Sequence, residues 1–304
     1  MLLQPDCIPC ILKMSISLIR KLPLEEARIK ELYSEILEIP ALRGRQWNVT
    51  SPETIEIVMR KINLAAGNSD PFYAEKAEIN ERLLQMAPWL KELVNNADDP
   101  VYEAVKLAII GNSIDFMTPQ AASGLETTLT QKLETSLSED KFAAFKRQLA
   151  QSELVLYLGD NAGEIVFDKI LIETVKEHYH PKIVFVVRNM PTLNDATLKE
   201  ARSVGIDQIT TVIANGIDGP LPGTQLKRCS DELRALVGRA DLIISKGGGN
   251  FDCLHEELED LPNITFMLIS KCQPYNTYFS KDLYQPILAN FFKKRAIIRS
   301  DWRR

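Results

Sequence analysis

Six residues between two apolar stretches carry the densest chemistry in the chain: Gly159-Asp160-Asn161-Ala162-Gly163-Glu164, directly after LVLYL. Four other segments have related character: RNMPTLND at 188–195, ANG at 214–216, KGGGNFD at 246–252, and Lys271-Cys272-Gln273-Pro274. Asp160 and Asp195, with the side-chain carbonyl of Asn161, supply hard oxygen ligands for a divalent cation such as Mg²⁺ or Mn²⁺. Lys246 and Lys271 supply positive charge for a phosphate. Glycines around Gly248 let backbone N–H groups approach an anion, and a helix N-terminus adds its dipole. Asn112 and Asn250 are further polar groups for a phosphate. Together these are the parts of a phosphoryl-chemistry site, where positioning and charge neutralisation do most of the catalysis. Each part alone has an ordinary reading. Asp-Asn between glycines is a common turn. Asn194-Asp195 is also an N-cap signature. KGGGN is not a P-loop, because its lysine precedes the glycines and no Lys-Ser/Thr follows.

What joins the parts is position. Each polar segment ends a short apolar run: 154–158, 182–188, 208–213, 242–245 and 264–270. Helical patterns lie between the runs, through Val175, from Asp195 to Val204, along LKRCSDELRALVGRA, and from Cys253 to Leu258. Alternation of this kind predicts βαβ units and a mainly parallel sheet with helices on both faces, a three-layer αβα domain. Ligands of such sheets bind at the carboxyl ends of the strands. Asp160, Asn161, Asp195, Lys246, Asn250 and Lys271 are therefore expected on one rim. Before residue 150 the periodicity is helical throughout, and no strand is expected. Ser51 is a candidate N-cap with Pro52 at the first helical position. The pattern at 74–97 is expected to break near Pro88. The expected division is 1–150, an all-helical region, and 151–304, an α/β metal- and phosphate-binding domain.

The formal net charge of -5 argues against nonspecific nucleic-acid binding, which needs basic residues to neutralise phosphates. The basic segment 293–304 reads as a solvated tail. No apolar run is long enough to span a membrane, and MLLQPDCIPC lacks the features of a signal peptide, so a cytoplasmic protein is expected. The five cysteines then read as thiols, metal ligands or core residues rather than a disulfide framework. Cys7-x-x-Cys10 has the spacing of half a zinc site or of a redox pair, and equally of two thiols beside a helix start. Cys253 and Cys272 read as packing residues near the rim.

GDNAGE, RNMPTLND and KGGGNFD together resemble the metal-dependent damage-control phosphatases, formerly domain-of-unknown-function family 89. The likeness covers nearly the whole chain. Asp6-Cys7-Ile8-Pro9-Cys10 is similar to the CxxC start of the prokaryotic branch. Asp70-Pro71-Phe72-Tyr73 with Lys76 and Asn80, and Gly111-Asn112-Ser113-Ile114-Asp115-Phe116, match two helical motifs. The resemblance implies a helical N-terminal part on a three-layer α/β domain. It implies a divalent metal (Mn²⁺, Co²⁺, Ni²⁺ or Mg²⁺) on Asp160, Asn161 and Asp195, and hydrolysis of phosphomonoesters of small, often damaged, metabolites such as sugar phosphates. The sequence departs from the family pattern at Arg188-Asn189, where a more glycine- or lysine-like start is usual, and at Asp252, where Glu is common. Asp160, Asp195 and Lys271 are the expected catalytic residues. Attack by water and an aspartyl-phosphate on Asp160 both stay open. Specificity is expected from the helical region near Asn80 and Asn112. The alternatives are a noncatalytic metabolite- or nucleotide-binding protein and a redox protein using Cys7 and Cys10. Oligomeric state is not legible.

Overall fold

The computed structural model describes residues 1–67, 70–112 and 122–293. Six strands form one sheet: β1 (Leu154–Leu158), β2 (Lys182–Val187), β3 (Thr211–Ala214), β4 (Leu242–Lys246), β5 (Ile264–Ile269) and β6 (Pro286–Phe291). Their order is β3-β2-β1-β4-β5-β6. The first five are parallel, and β6 runs antiparallel to β5. All five residues of β1 are buried, as expected for a strand covered on both faces. Val155 and Tyr157 enter one core and Leu154, Leu156 and Leu158 the other, the two-residue alternation of a pleated strand. β1 is followed by β2 on one side, and the chain later returns to place β4 on the other. The gap between the ends of β1 and β4 is therefore the topological switch point, where ligands of such sheets bind.

Among the described residues seven helices precede the sheet: α1 (Cys7–Ile19), α2 (Glu26–Leu37), α3 (Ser51–Ala65), α4 (Tyr73–Asn95), α5 (Pro100–Gly111), α6 (Ala122–Leu133) and α7 (Glu139–Leu149). The first three share a core of their own, including Ile19, Leu32, Ile36, Val58 and Met59. From α4 onward the apolar faces join the sheet. Leu83 and Leu90 of α4, the buried stripe of α5, and Phe142 and Phe145 of α7 pack with α8 (Glu164–Tyr179) against one face. The other face is covered by α10 (Asp231–Val237), α11 (Gly247–His255) and α12 (Gln273–Phe279), and α9 (Leu198–Ser203) closes the β2 side.

Several local expectations change. α4 runs through Pro88 without a break. Proline removes one backbone donor, but buried Leu83, Leu90 and Val94 anchor both halves of the helix to one core. α3 is capped by Thr50, not Ser51, in a capping box with Glu53, so Pro52 sits at the second helical position. α9 begins at Leu198, capped by Thr197 with Glu200, which frees Asp195 from a capping role. α11 begins at Gly247 rather than Cys253, so the glycines of KGGGN are the first turn of a helix. β6 is not among the expected strands. Pro286 is its first residue, on an edge, where a missing N–H is tolerated. Residues 113–116 of the second helical motif and 294–304 of the basic tail lie outside the described residues.

Candidate active site

Asp160 follows β1 directly, and a second segment is sewn beside it. The Ala196 N–H donates to the Asp160 carbonyl at 2.8 Å, and the Ala162 N–H to the Asn194 carbonyl at 2.8 Å. Asn161 and Asp195 thereby form an isolated antiparallel bridge. Two carboxylates 35 positions apart in sequence thus meet as neighbours on a miniature ladder.

Arg188, at the end of β2, is buried between them. Its Nε donates to Asp195 Oδ2 at 2.6 Å and its Nη2 to Asp160 Oδ1 at 3.0 Å. Its Nη1 donates to Asn250 Oδ1 at 2.9 Å. The other oxygen of Asp160 accepts from Asn112 Nδ2 at 3.1 Å and Asn161 Nδ2 at 2.8 Å. Asn112 reaches this point because α5 packs closely on α8. A Cβ at Gly111 would lie 2.7 Å from the Phe167 ring. Gly247 is a second forced glycine. Its φ is +75°, and a Cβ there would come within 2.0 Å of Asp160 Oδ2.

Beneath this layer lies a wholly buried set. Lys246 donates to Glu164 Oε1 at 2.5 Å and to Asp168 Oδ1 at 2.6 Å, and Tyr157 donates to Asp168 Oδ1 at 2.7 Å. Asn112 and Asn161 both donate to Glu164 Oε2, at 2.8 and 3.0 Å. Farther out, Lys76 of α4 pairs with Asp70 and Glu200, and Asn80 Oδ1 accepts from the Gly163 N–H at 2.6 Å. α4 therefore clamps the loops that carry Asp160 and Asp195.

The electrostatics are unbalanced. Asp160, Asp195, Glu164 and Asp168 are all buried, and the cations paired with them are Arg188 and Lys246; buried Lys76, near Asp195, is paired with Asp70 and Glu200. Burial, then Asp195 and Glu164, push the Asp160 carboxyl up to about 8. Burial also raises Asp195, against the opposing pull of Arg188. Burial raises Asp168 to about 6, with Lys246 opposing. Burial would raise Glu164 too, but Lys246 and the Asn112 hydrogen bond outweigh it and hold that carboxyl low.

Asp160, Asn161 and Asp195 open onto a cavity of about 320 Å³. Lys271, Gly248, Gly249 and Asp252 line it as well, and so do Cys7, Cys10, Pro52 and Ile55 from α1 and α3. Among the described residues no group of three or more His, Cys, Asp or Glu side chains could hold a metal ion. Two carboxylates and the Asn161 amide are what the site offers a cation. That hard-oxygen set suits Mg²⁺ or Mn²⁺, and the excess of buried negative charge suits a divalent ion.

Of the residues expected at the rim, Asp160, Asn161, Asp195, Gly248 and Lys271 meet at the cavity. Lys246 and Asn250 do not face it. Lys246 is fully buried and spent on two carboxylates, and Asn250 ties Arg188 to the Gly159 and Lys246 carbonyls. Asn112 is turned onto Asp160 and Glu164 rather than toward a phosphate. Asn80 likewise holds backbone, so the helical wall of the cavity comes from α1 and α3. Cys7 and Cys10 are free thiols on that wall, and burial raises the Cys10 thiol. Arg188, Glu164 and Asp168 were not foreseen in the site. Arg188 was visible only as a departure from the family pattern, and Glu164 only as the last letter of GDNAGE.

Comparison with known proteins agrees along the chain. The model of the damage-control phosphatase ARMT1-like domain matches residues 3–285. A damage-control phosphatase of Archaeoglobus fulgidus is 31% identical over 276 residues, 90% of this chain and 94% of that protein. A damage-control phosphatase of Pyrococcus horikoshii is 35% identical over 206 residues, 68% of this chain and 69% of that one. An uncharacterised protein of Methanocaldococcus jannaschii is 31% identical over 303 residues, covering 94% of each. The crystal structure of a family 89 protein from Pyrococcus horikoshii superposes with a TM-score of 0.84 at 26% identity, over 95% of this chain and 98% of that one.

Proposed function

The chain belongs to the damage-control phosphatase ARMT1-like family, and from that premise we propose that it is a divalent-metal-dependent phosphatase of small phosphorylated metabolites. The carrying observation is the pair Asp160 and Asp195, two buried carboxyls sharing the one cation Arg188, set with Asn161 at the β1/β4 switch point and open to a cavity. Asp160, Asn161 and Asp195 would hold the cation. That cation, whether Mn²⁺, Co²⁺, Ni²⁺ or Mg²⁺, would supply Lewis acidity toward a phosphoryl oxygen.

The remaining work falls to the chain itself. Arg188 keeps the two carboxylates apart and aimed at one point. The exposed ammonium of Lys271 and the first turn of α11 at Gly248 and Gly249 line the same cavity and present positive charge to it. A phosphate seated there would have its charge met by the cation and by these groups. The leaving group would then rest against Pro52, Ile55 and the α1 thiols. Among the described residues no helix is long and apolar enough to cross a membrane, so nothing there conflicts with a freely diffusing metabolite as substrate.

The test is phosphate release from a panel of sugar phosphates and p-nitrophenyl phosphate, with each of the four metals and with chelator. Metal-dependent release that vanishes in Asp160→Ala supports the reading. Binding of phosphate esters with no release under any metal would favour the noncatalytic alternative.

A further inference from the structure

We propose that Glu164 is a positioning residue that fixes which way the Asn161 amide faces, and so whether the site offers a cation two side chains or three. The inference rests on the metal-dependent reading above. The Asn161 nitrogen lies 2.8 Å from Asp160 Oδ2 and 3.0 Å from Glu164 Oε2. The Glu164 carboxylate, paired with Lys246, only accepts hydrogen bonds, so the donor end of the amide must face it. Reversing the amide would set its oxygen against the Glu164 oxygen. The carbonyl is thus left to the cavity that Asn161 lines with Asp160 and Asp195.

Glu164 is itself held firmly. Its second oxygen accepts from Lys246 at 2.5 Å, Lys246 is braced by Asp168 at 2.6 Å, and Asp168 by Tyr157 at 2.7 Å. The row Tyr157, Asp168, Lys246, Glu164 is buried throughout. It runs from the strands beneath the site up to the amide. Partners of this kind orient a ligand without touching the metal, and losing one costs about 10- to 100-fold in metal affinity.

The test exchanges amide and acid. In Glu164→Gln, one oxygen still faces Lys246, and the new NH₂ group confronts the Asn161 NH₂. In Asn161→Asp, a carboxylate oxygen faces two others. In the double variant, donor and acceptor match again between positions 161 and 164 with their owners reversed, while Asp160 Oδ2 and Asn112 Nδ2 keep mismatched partners. Calorimetric titration with Mn²⁺ should show each single variant binding about tenfold or more weakly. The double variant should recover part of that loss and bind more tightly than the worse single. Singles that bind like wild type, or a double variant no better than the worse single, overturn the proposal.

Asn161→Asp lies at the cavity wall and leaves the buried pairs intact, so it carries the test should Glu164→Gln not fold. It must bind Mn²⁺ more weakly despite its added acid, and tighter binding overturns the proposal alone. A wild-type chain that takes up none of the four metals overturns the metal reading and this inference with it. Metal uptake without phosphate release overturns hydrolysis only and leaves the titrations decisive.

Discussion

Lys246 shows how burial decides what a charged residue can do. From its place before three glycines it reads as a phosphate ligand. In the fold its ammonium is shut between Glu164 and Asp168, with no face to the cavity. Removing one partner of a buried charge set leaves the others uncompensated, at about 3–5 kcal/mol. Lys246→Met is therefore expected to lose stability of that order in urea unfolding. Unchanged stability with a raised KM would return the lysine to phosphate binding. Arg188→Met should be similarly costly, because Asp160 and Asp195 would then face each other without their shared cation. Asp160 and Asn161 were legible because their residue types, glycine flanks and strand-end position agree. Arg188, Glu164 and Asp168 were not. Their roles depend on side chains meeting across β1, β2, β4 and α8, and neither residue type nor spacing encodes such contacts.

The elements place these residues through a few tight joints. Gly247 starts α11 with a backbone that other residues rarely adopt, directly against Asp160. Gly247→Ala should strain the turn and push the Asp160 carboxyl aside, weakening Mn²⁺ binding about tenfold. Unaltered calorimetric affinity would show that the joint has slack. A second joint ties α3 to the loop before α10. Glu56 accepts from Arg228 at 2.6 and 2.8 Å and from Arg60 at 2.8 Å. Burial alone would raise the Glu56 carboxyl, but the arginines outweigh it and hold it below the ordinary 4.5. A depressed acid stabilises the fold above its unfolded value, and that contribution is lost as pH falls through the folded one. Wild type should thus lose thermal stability on acidification below about pH 4.5, and Glu56→Gln should lose less of it over that window. Equal losses in thermal melts would place the acid sensitivity elsewhere. The helices and parallel strands were legible because their apolar periods are strong. Which core a helix joins was not. α3 and α4 both read as helices in the sequence, yet one packs with α1 and α2 and the other on the sheet.

At the scale of the molecule, the sheet gathers negative charge at its switch point and surrounds it with protein. Four buried carboxyl groups around Arg188 and Lys246 are a costly arrangement for a chain standing alone, since an unpaired buried charge is expensive, and the Asp160 carboxyl is pushed up to about 8 in consequence. The strand-end positions of the polar segments located the rim, but the imbalance emerges only when α5, α8 and the 194–196 segment close over it. The physical remedy is a bound cation, which makes folding stability itself a reporter of the site. A ligand that binds only the folded state stabilises it by about 2.7 kcal/mol at a hundred times its dissociation constant. For a chain of this size that is a rise of about 5 °C in the unfolding midpoint. Adding Mn²⁺ to chelator-treated protein should produce a shift of that order, saturating with concentration. Asp195→Asn should abolish most of the shift while keeping a cooperative transition, because it removes one oxygen ligand's charge while Arg188 keeps its pair with Asp160 and an amide oxygen at position 195 can still accept from it. A wild-type midpoint indifferent to all four metals would mean that Arg188 and Lys246 suffice to hold the carboxylates, and that the cavity serves a ligand other than a metal-bound phosphate.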